Sequence, residues 1–179
     1  MFGPIVAIAI VEYRRFRGDG ARRAGDPTFF WLQASQLAGL GVAALAAANL
    51  TGAALPGSGW LWAAIGCVVG IDGVMFRLWA IATLGSQFTR NLQVAEGSRV
   101  VDRGPYHYLR HPSYSGAIVM YAGIGIGLGN AVSVASCLVL PAAGYVLRIP
   151  REEALLRQRL GEPYAEYARR TRRLVPGVW

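Results

Sequence analysis

Both histidines of this 179-residue chain lie in one short run, Gly104-Pro105-Tyr106-His107-Tyr108-Leu109-Arg110-His111-Pro112-Ser113-Tyr114-Ser115-Gly116, which leads directly into a long apolar stretch. Ionisable groups at the mouth of a membrane helix are costly and normally carry a task. Pro112 suits the first turn of that helix, where its missing N–H costs nothing. Arg110, His111 and Tyr114 then ring the helix's positive end, a place to receive an anionic group. The competing reading is a basic loop touching lipid headgroups. A second cluster, Arg148, Arg151 and Glu152-Glu153, follows the last apolar stretch. Arg148 and Glu152 are one helical turn apart and meet on one face, either as an ion pair near the headgroups or as a divided site. In the divided site the carboxylate holds a cationic ligand and the arginine an anionic one, which suits a reaction of two substrates.

The elements that position these groups are apolar. The chain is 54% hydrophobic, with runs long enough to cross a bilayer. We expect an all-α membrane protein with about five transmembrane helices: Phe2 to about Val11 (short, extended to Phe16 by snorkelling arginines), Phe29 to Leu55, Trp60 to Leu84, Pro112 to Leu128 and Ala131 to Leu147. The last two, joined only by Gly129-Asn130, must form an antiparallel hairpin. The net charge of +8 is built from arginine alone, in blocks flanking alternate apolar runs. That pattern marks membrane topology, argues against nucleic-acid binding, and puts the two clusters and the C-terminus in the cytoplasm. Met1 leads into apolar residues with no basic region before them, which argues against a cleaved signal peptide.

Residues 85 to 111 are expected to include a short hairpin around Glu96-Gly97. Residues 150 to 176 read as two short amphipathic helices, Glu152 to Leu160 ending at Gly161 and Pro163 to about Arg172, folded back as a cytoplasmic C-terminal cap. The whole chain, 1–179, reads as a single domain: N-terminal membrane helices over 1–84 and a functional half over 85–179. Cys67 and Cys137 lie in apolar runs and read as packing residues. Asp72 sits near mid-membrane, where a structural hydrogen bond is expected; Arg77 is nearer the cytoplasmic end and is placed to snorkel. The Gly123, Gly125, Gly127, Gly129 ladder fits close helix packing better than a phosphate loop. No metal site is expected, because the break at Pro112 keeps His107 and His111 off a common helical face.

Across these residues the chain resembles the isoprenylcysteine carboxyl methyltransferase family of integral membrane enzymes. The resemblance runs from about Leu84 to Pro176. It is carried by Leu84-Gly85, Gln93, Val100-Val101, Gly104-Pro105-Tyr106, Arg110 to Gly116, Glu152-Glu153, Gly161-Glu162-Pro163-Tyr164 with Tyr167, and Val175-Pro176-Gly177, in the family's order and spacing. It implies S-adenosylmethionine, yielding S-adenosylhomocysteine, in a cytoplasm-facing pocket, with a lipid-like or isoprenoid acceptor entering from the bilayer. Gln93, Ser98, Arg99, Val100, Val101, Tyr106, Leu109, Arg110, His111, Pro112, Ser113, Tyr114 and Glu152 fall where the family holds the cofactor. Arg148 falls where it holds the acceptor's carboxylate. With Glu152 and Glu153, Arg148 makes up the expected catalytic set.

Methyl transfer from a sulfonium is an in-line displacement that needs alignment more than acid–base help. A carboxylate is already ionised near neutral pH, so carboxyl O-methylation needs no strong base. An amine or phenol acceptor needs one, and His111 or Glu153 would serve. The alternatives are therefore a phospholipid or amine N-methyltransferase, a reductase sharing the C-terminal half, and a non-enzymatic transporter or scaffold. Membrane lipids are the expected surroundings, and no protein partner is indicated. The alanine-rich, lysine-free composition suggests a GC-rich bacterial genome and hence a bacterial plasma membrane.

Overall fold

A computed structural model describes residues 27–85 and 99–175. The expected first segment and the expected hairpin around Glu96-Gly97 lie outside the described residues. Within them the regular elements are helical: α1 (Pro27–Asn49), α2 (Gly59–Leu84), α3 (Pro112–Gly127), α4 (Ala131–Leu160) and α5 (Glu162–Arg170), with 3-10 turns at Thr51–Ala53 and Gly104–His107.

Three of these helices, α1, α2 and α4, are long and apolar enough to cross a membrane. Their outer faces expose Leu37, Leu45, Ile65, Val68, Ile71, Trp79, Val139 and Leu147, as a surface solvated by lipid does. The protein is a membrane protein, all-helical within the described residues. α3, also expected to span, has 16 residues and is about 24 Å long. The helices pack in the spatial order α2, α3, α4, α1.

Small residues make that packing possible. A Cβ on Gly73 would collide with the backbone of Met120 and Gly116, and one on Gly123 with the backbone of Gly70. The expected glycine ladder does pack: Gly123 meets α2, and a Cβ on Gly125 would lie 2.7 Å from the Ser133 carbonyl oxygen on α4. The ladder's last member instead adopts φ +62° to turn the chain between α3 and α4. Asn130 then caps α4 by accepting from the N–H groups of Val132 and Ser133, and donates to the Leu50 carbonyl at 2.9 Å. The α3–α4 hairpin is thereby tied to the end of α1. Cys137 is fully buried, whereas Cys67 is exposed on α2 and is not the buried packing residue expected.

Three further expectations are corrected. Glu152 to Leu160 is not a separate helix: α4 runs unbroken through Pro141 and Pro150 to Leu160. Ile149 and Glu153, either side of Pro150, are both essentially inaccessible, so tertiary contacts hold the helix across a residue that locally disfavours it. Asp72 is exposed on α2 and makes no hydrogen bond or ion pair within the described residues. Arg77 does not snorkel; its Nη1 donates to the Ser113 carbonyl at 2.7 Å, joining α2 to the first turn of α3.

α4 is about 45 Å long, and its charged last turns (Arg151, Glu152, Glu153, Arg157, Arg159) extend past the apolar stretch that ends at Ile149. Gly161 ends it at φ +63°, and α5 folds back over the loop that precedes α3. The chain after α5 lies alongside that loop: the N–H of Arg110 donates to the Arg172 carbonyl at 2.6 Å, and the N–H of His111 to the Arg173 carbonyl at 3.0 Å. α5 and the segment after it thus form a cap seated on the mouth of α3.

Candidate active site

The mouth of α3, the last turns of α4 and the cap enclose a charged cluster with two centres. One is Glu153, only 1% exposed. Its carboxylate accepts from Arg110 Nε at 2.7 Å and from Arg173 Nη2 at 3.0 Å, and Arg157 Nη2 stands at 3.6 Å. His111 Nε2 lies 3.5 Å away. Burial alone would raise the Glu153 carboxyl; the neighbouring His111, Arg173 and Arg110 outweigh it and hold the pKa down at about 2. Arg110 also donates from Nη1 to the carbonyls of Ala168 (2.5 Å) and Thr171 (2.8 Å). Arg110 and Glu153 thus pin the loop, α4 and the cap together. Both belong to an internal ion cluster.

The second centre is Tyr114. Its hydroxyl donates to Glu152 Oε2 at 2.6 Å and accepts from Arg148 Nε at 3.1 Å. Its ring stacks on His111 on one side (centroids 5.4 Å apart, planes within 5°) and on Tyr145 on the other (4.5 Å, 29°). Arg148 and Glu152 approach to 4.0 Å, so the expected meeting on one face occurs with the Tyr114 hydroxyl set between them. Arg148 is 2% exposed, and its guanidinium lies 5.9 Å from the centre of the Phe29 ring. The Glu152 side chain stays 28% exposed and, unlike Glu153, keeps acceptor capacity.

The remaining expected residues divide. Tyr106, Leu109, Pro112 and Ser113 are buried around the loop, and Val100 and Val101 are half-buried. Tyr106 and Leu109 both offer carbonyls to the Tyr167 hydroxyl, at 2.7 and 3.2 Å. Arg99 is exposed at the start of the loop. Gln93 and Ser98 lie outside the described residues. Burial raises the hydroxyl pKa of Tyr106, Tyr164 and Tyr167, so all three stay protonated at neutral pH.

Several contributors were not singled out from sequence. Gln36 on α1, 8% exposed, donates to the Tyr145 hydroxyl at 3.0 Å, so the N-terminal half of α1 forms a wall of the site and is more than a generic span. Thr28, Leu32 and Gln36, all buried and four residues apart, carried that signal. Tyr145 stands three residues before Arg148, on the same face.

Taken together, the site offers a buried cation (Arg148), a partly open carboxylate (Glu152) and a hydroxyl bridging them. This arrangement can hold an anionic and a cationic group side by side.

Comparison with known proteins bears on the same region. The family model described as the isoprenylcysteine carboxyl methyltransferase (ICMT) family matches residues 64–158. The chain is 36% identical over 121 residues to protein-S-isoprenylcysteine O-methyltransferase B of Arabidopsis thaliana, covering 66% of this chain and 61% of that protein. It is 31% identical over 121 residues to a probable protein-S-isoprenylcysteine O-methyltransferase of Oryza sativa, covering 66% and 63%. The chain thus matches somewhat less than two thirds of the length of these curated relatives. Among solved structures, the eukaryotic intramembrane Ras methyltransferase is similar at a TM-score of 0.71 and 26% identity, over 97% of this chain and 61% of that one.

Proposed function

The chain belongs to the isoprenylcysteine carboxyl methyltransferase family, and on that premise we propose that it transfers the methyl group of S-adenosylmethionine to the carboxylate of a lipophilic, isoprenoid-like acceptor. The observation that carries the reading is the Arg148–Tyr114–Glu152 arrangement: a buried guanidinium and a partly open carboxylate joined through one hydroxyl. The residues fit the cofactor chemically. Glu152 suits its cationic end, and the buried, unpartnered Nε2 of His111 is available to a polar atom. When bound, S-adenosylmethionine supplies an electrophilic methyl group on a sulfonium.

The chain's own residues align the reactants. Arg148 binds and orients the acceptor carboxylate, and its burial strips water from that nucleophile. Tyr114, clamped between two rings, fixes the position of Arg148 relative to Glu152. Tyr106, Leu109, His111, Pro112 and Ser113 form the cofactor wall, with Gln93, Ser98, Arg99, Val100 and Val101 contributing from the preceding segment. Arg110 and Glu153 act as positioning residues that close the cap.

We place the site at the cytoplasmic side of a cell membrane, because arginine blocks flank it. The chain acts as one domain, with residues 85–179 as its cofactor half. The bacterial setting rests on composition alone, since the relatives compared above are eukaryotic proteins.

Tritiated S-adenosylmethionine and an N-acetylated S-prenylcysteine, incubated with the detergent-solubilised protein, test the reading. Label that enters the lipid fraction and is released by alkali as methanol marks a methyl ester. Alkali-stable label identifies an amine acceptor instead. If S-adenosylhomocysteine at about a hundred times any plausible dissociation constant fails to stabilise the protein, by an expected roughly 2.7 kcal/mol, the methyltransferase reading is wrong.

A further inference from the structure

Asp72 takes no part in the site described above. It stands near the middle of α2 (Gly59–Leu84), about 18–20 Å along the axis from either end. Its side chain is exposed, and within the described residues it has no hydrogen bond or ion pair. Lipid chains offer a carboxyl no bonding atom, and an aspartate at this depth is too short to reach either headgroup layer.

The face that carries Asp72 is open along its length. Among the described residues, α2 lies at one edge of the helix order and is the least covered span. Of its membrane-crossing stretch 17% is buried, against 28% for α1 and 44% for α4. Asp72 points about 100–160° away from Gly66, Gly70 and Gly73, which meet α3. Its outward row is Leu61, Ile65, Val68, Asp72, Met75 and Trp79, spaced 4-3-4-3-4. Leu61, Ile65, Val68 and Trp79 are exposed. This is the alternation of a two-helix seam, and a single polar residue at one central position is the device that fixes the register of such a seam.

We propose that this row of α2 is the seam of a parallel homodimer, in which the Asp72 carboxyls of two copies hydrogen-bond to each other. A second copy is the occupant the chemistry selects. Copies inserted in the same orientation associate about a two-fold axis along the membrane normal, which sets each position of the central helix against itself. Two Asp72 carboxyls then meet at one depth. A carboxyl holding its proton donates and accepts at once, so one proton shared between the pair completes the contact without a cation. The row faces away from α3, so each copy keeps its own site complete.

The test counts subunits of the full-length protein, labelled at one terminus and reconstituted in liposomes, by single-molecule photobleaching over a series of protein-to-lipid ratios. Wild type should pass from one bleaching step to two as density rises. Asp72→Leu should need roughly 3- to 20-fold higher density to do so. A second measurement leaves Asp72 in place: on a Cys67→Ala background, oxidation in membranes should cross-link Ile65→Cys or Val68→Cys copies. Val74→Cys, about 160° round the helix from Asp72, should stay uncross-linked. A wild type that remains monomeric throughout overturns the proposal, since lipid, residues 1–26 or another protein then covers the face. Association of Asp72→Leu equal to wild type overturns it as well, and so do cross-links through Val74→Cys in place of Val68→Cys.

Discussion

Glu153→Gln keeps the shape of the side chain and removes the charge that holds the loop, α4 and the cap together. The carboxyl's pKa falls from an ordinary 4.5 to about 2 in the folded protein. Two and a half units correspond to roughly 3 kcal/mol of stability at neutral pH. Removing one partner of a buried ion cluster independently leads to about 3–5 kcal/mol, since Arg110 and Arg173 lose their counter-charge. The two routes agree, so the variant should melt about 6–12 °C below the wild type at pH 7. The pH dependence follows from the direction of the shift. A depressed carboxyl stabilises fully above its unfolded pKa, and the contribution is lost as pH falls through 4.5 toward 2. The gap between wild type and variant should therefore shrink to less than half its neutral-pH size at pH 3. Melting both proteins in one detergent from pH 7 to pH 3 measures this. A gap absent at pH 7, or equally large at pH 3, would show that the ionised Glu153 does not organise the cap.

Tyr114→Phe retains both stacked faces but severs the 2.6 Å bond to Glu152 and the 3.1 Å bond from Arg148. Methyl transfer measured as kcat/KM should fall about 10- to 100-fold with little change in melting, and an unaffected rate would remove Tyr114 from the alignment of the site. Gly73→Ala places a methyl group onto the backbone of Met120 and Gly116, where no flexible side chain can yield. It should cost about 1–3 kcal/mol or more in melting experiments, whereas Gly41→Ala, with open space around it, should not destabilise; equal behaviour would refute the close α2–α3 approach.

The helix mouth from Arg110 to Gly116 and the Arg148–Glu152 pair were legible in sequence because each depends on residues a turn or so apart. Proline at a first turn, an arginine and a glutamate at i and i+4, and apolar runs on either side need no knowledge of the rest of the fold. The separate helix expected over Glu152 to Leu160 failed for the complementary reason. Local propensity argued for a stop, but the anchors that carry α4 onward are Arg110 and Arg173, 43 residues before Glu153 and 20 after it. Nothing in the spacing of an Arg and a Glu so far apart announces a contact.

The adjacent glutamates show most clearly what the fold adds. Neighbours on a helix point about 100° apart, so Glu152 and Glu153 cannot serve the same centre, yet their sequence is symmetric in chemistry. The cap breaks the symmetry. Arg173 arrives from the chain after α5 and Arg110 from the loop before α3, and both settle on Glu153, which is left 1% exposed with its oxygens engaged. Glu152, one residue earlier, meets a single short hydroxyl bond and stays 28% exposed. A carboxylate already surrounded by guanidinium groups has little left for a cationic ligand, whereas one held by a tyrosine keeps its full charge and a free oxygen. The cap therefore does more than cover the site: by drawing the arginines to Glu153, it leaves Glu152 as the carboxylate able to face a ligand.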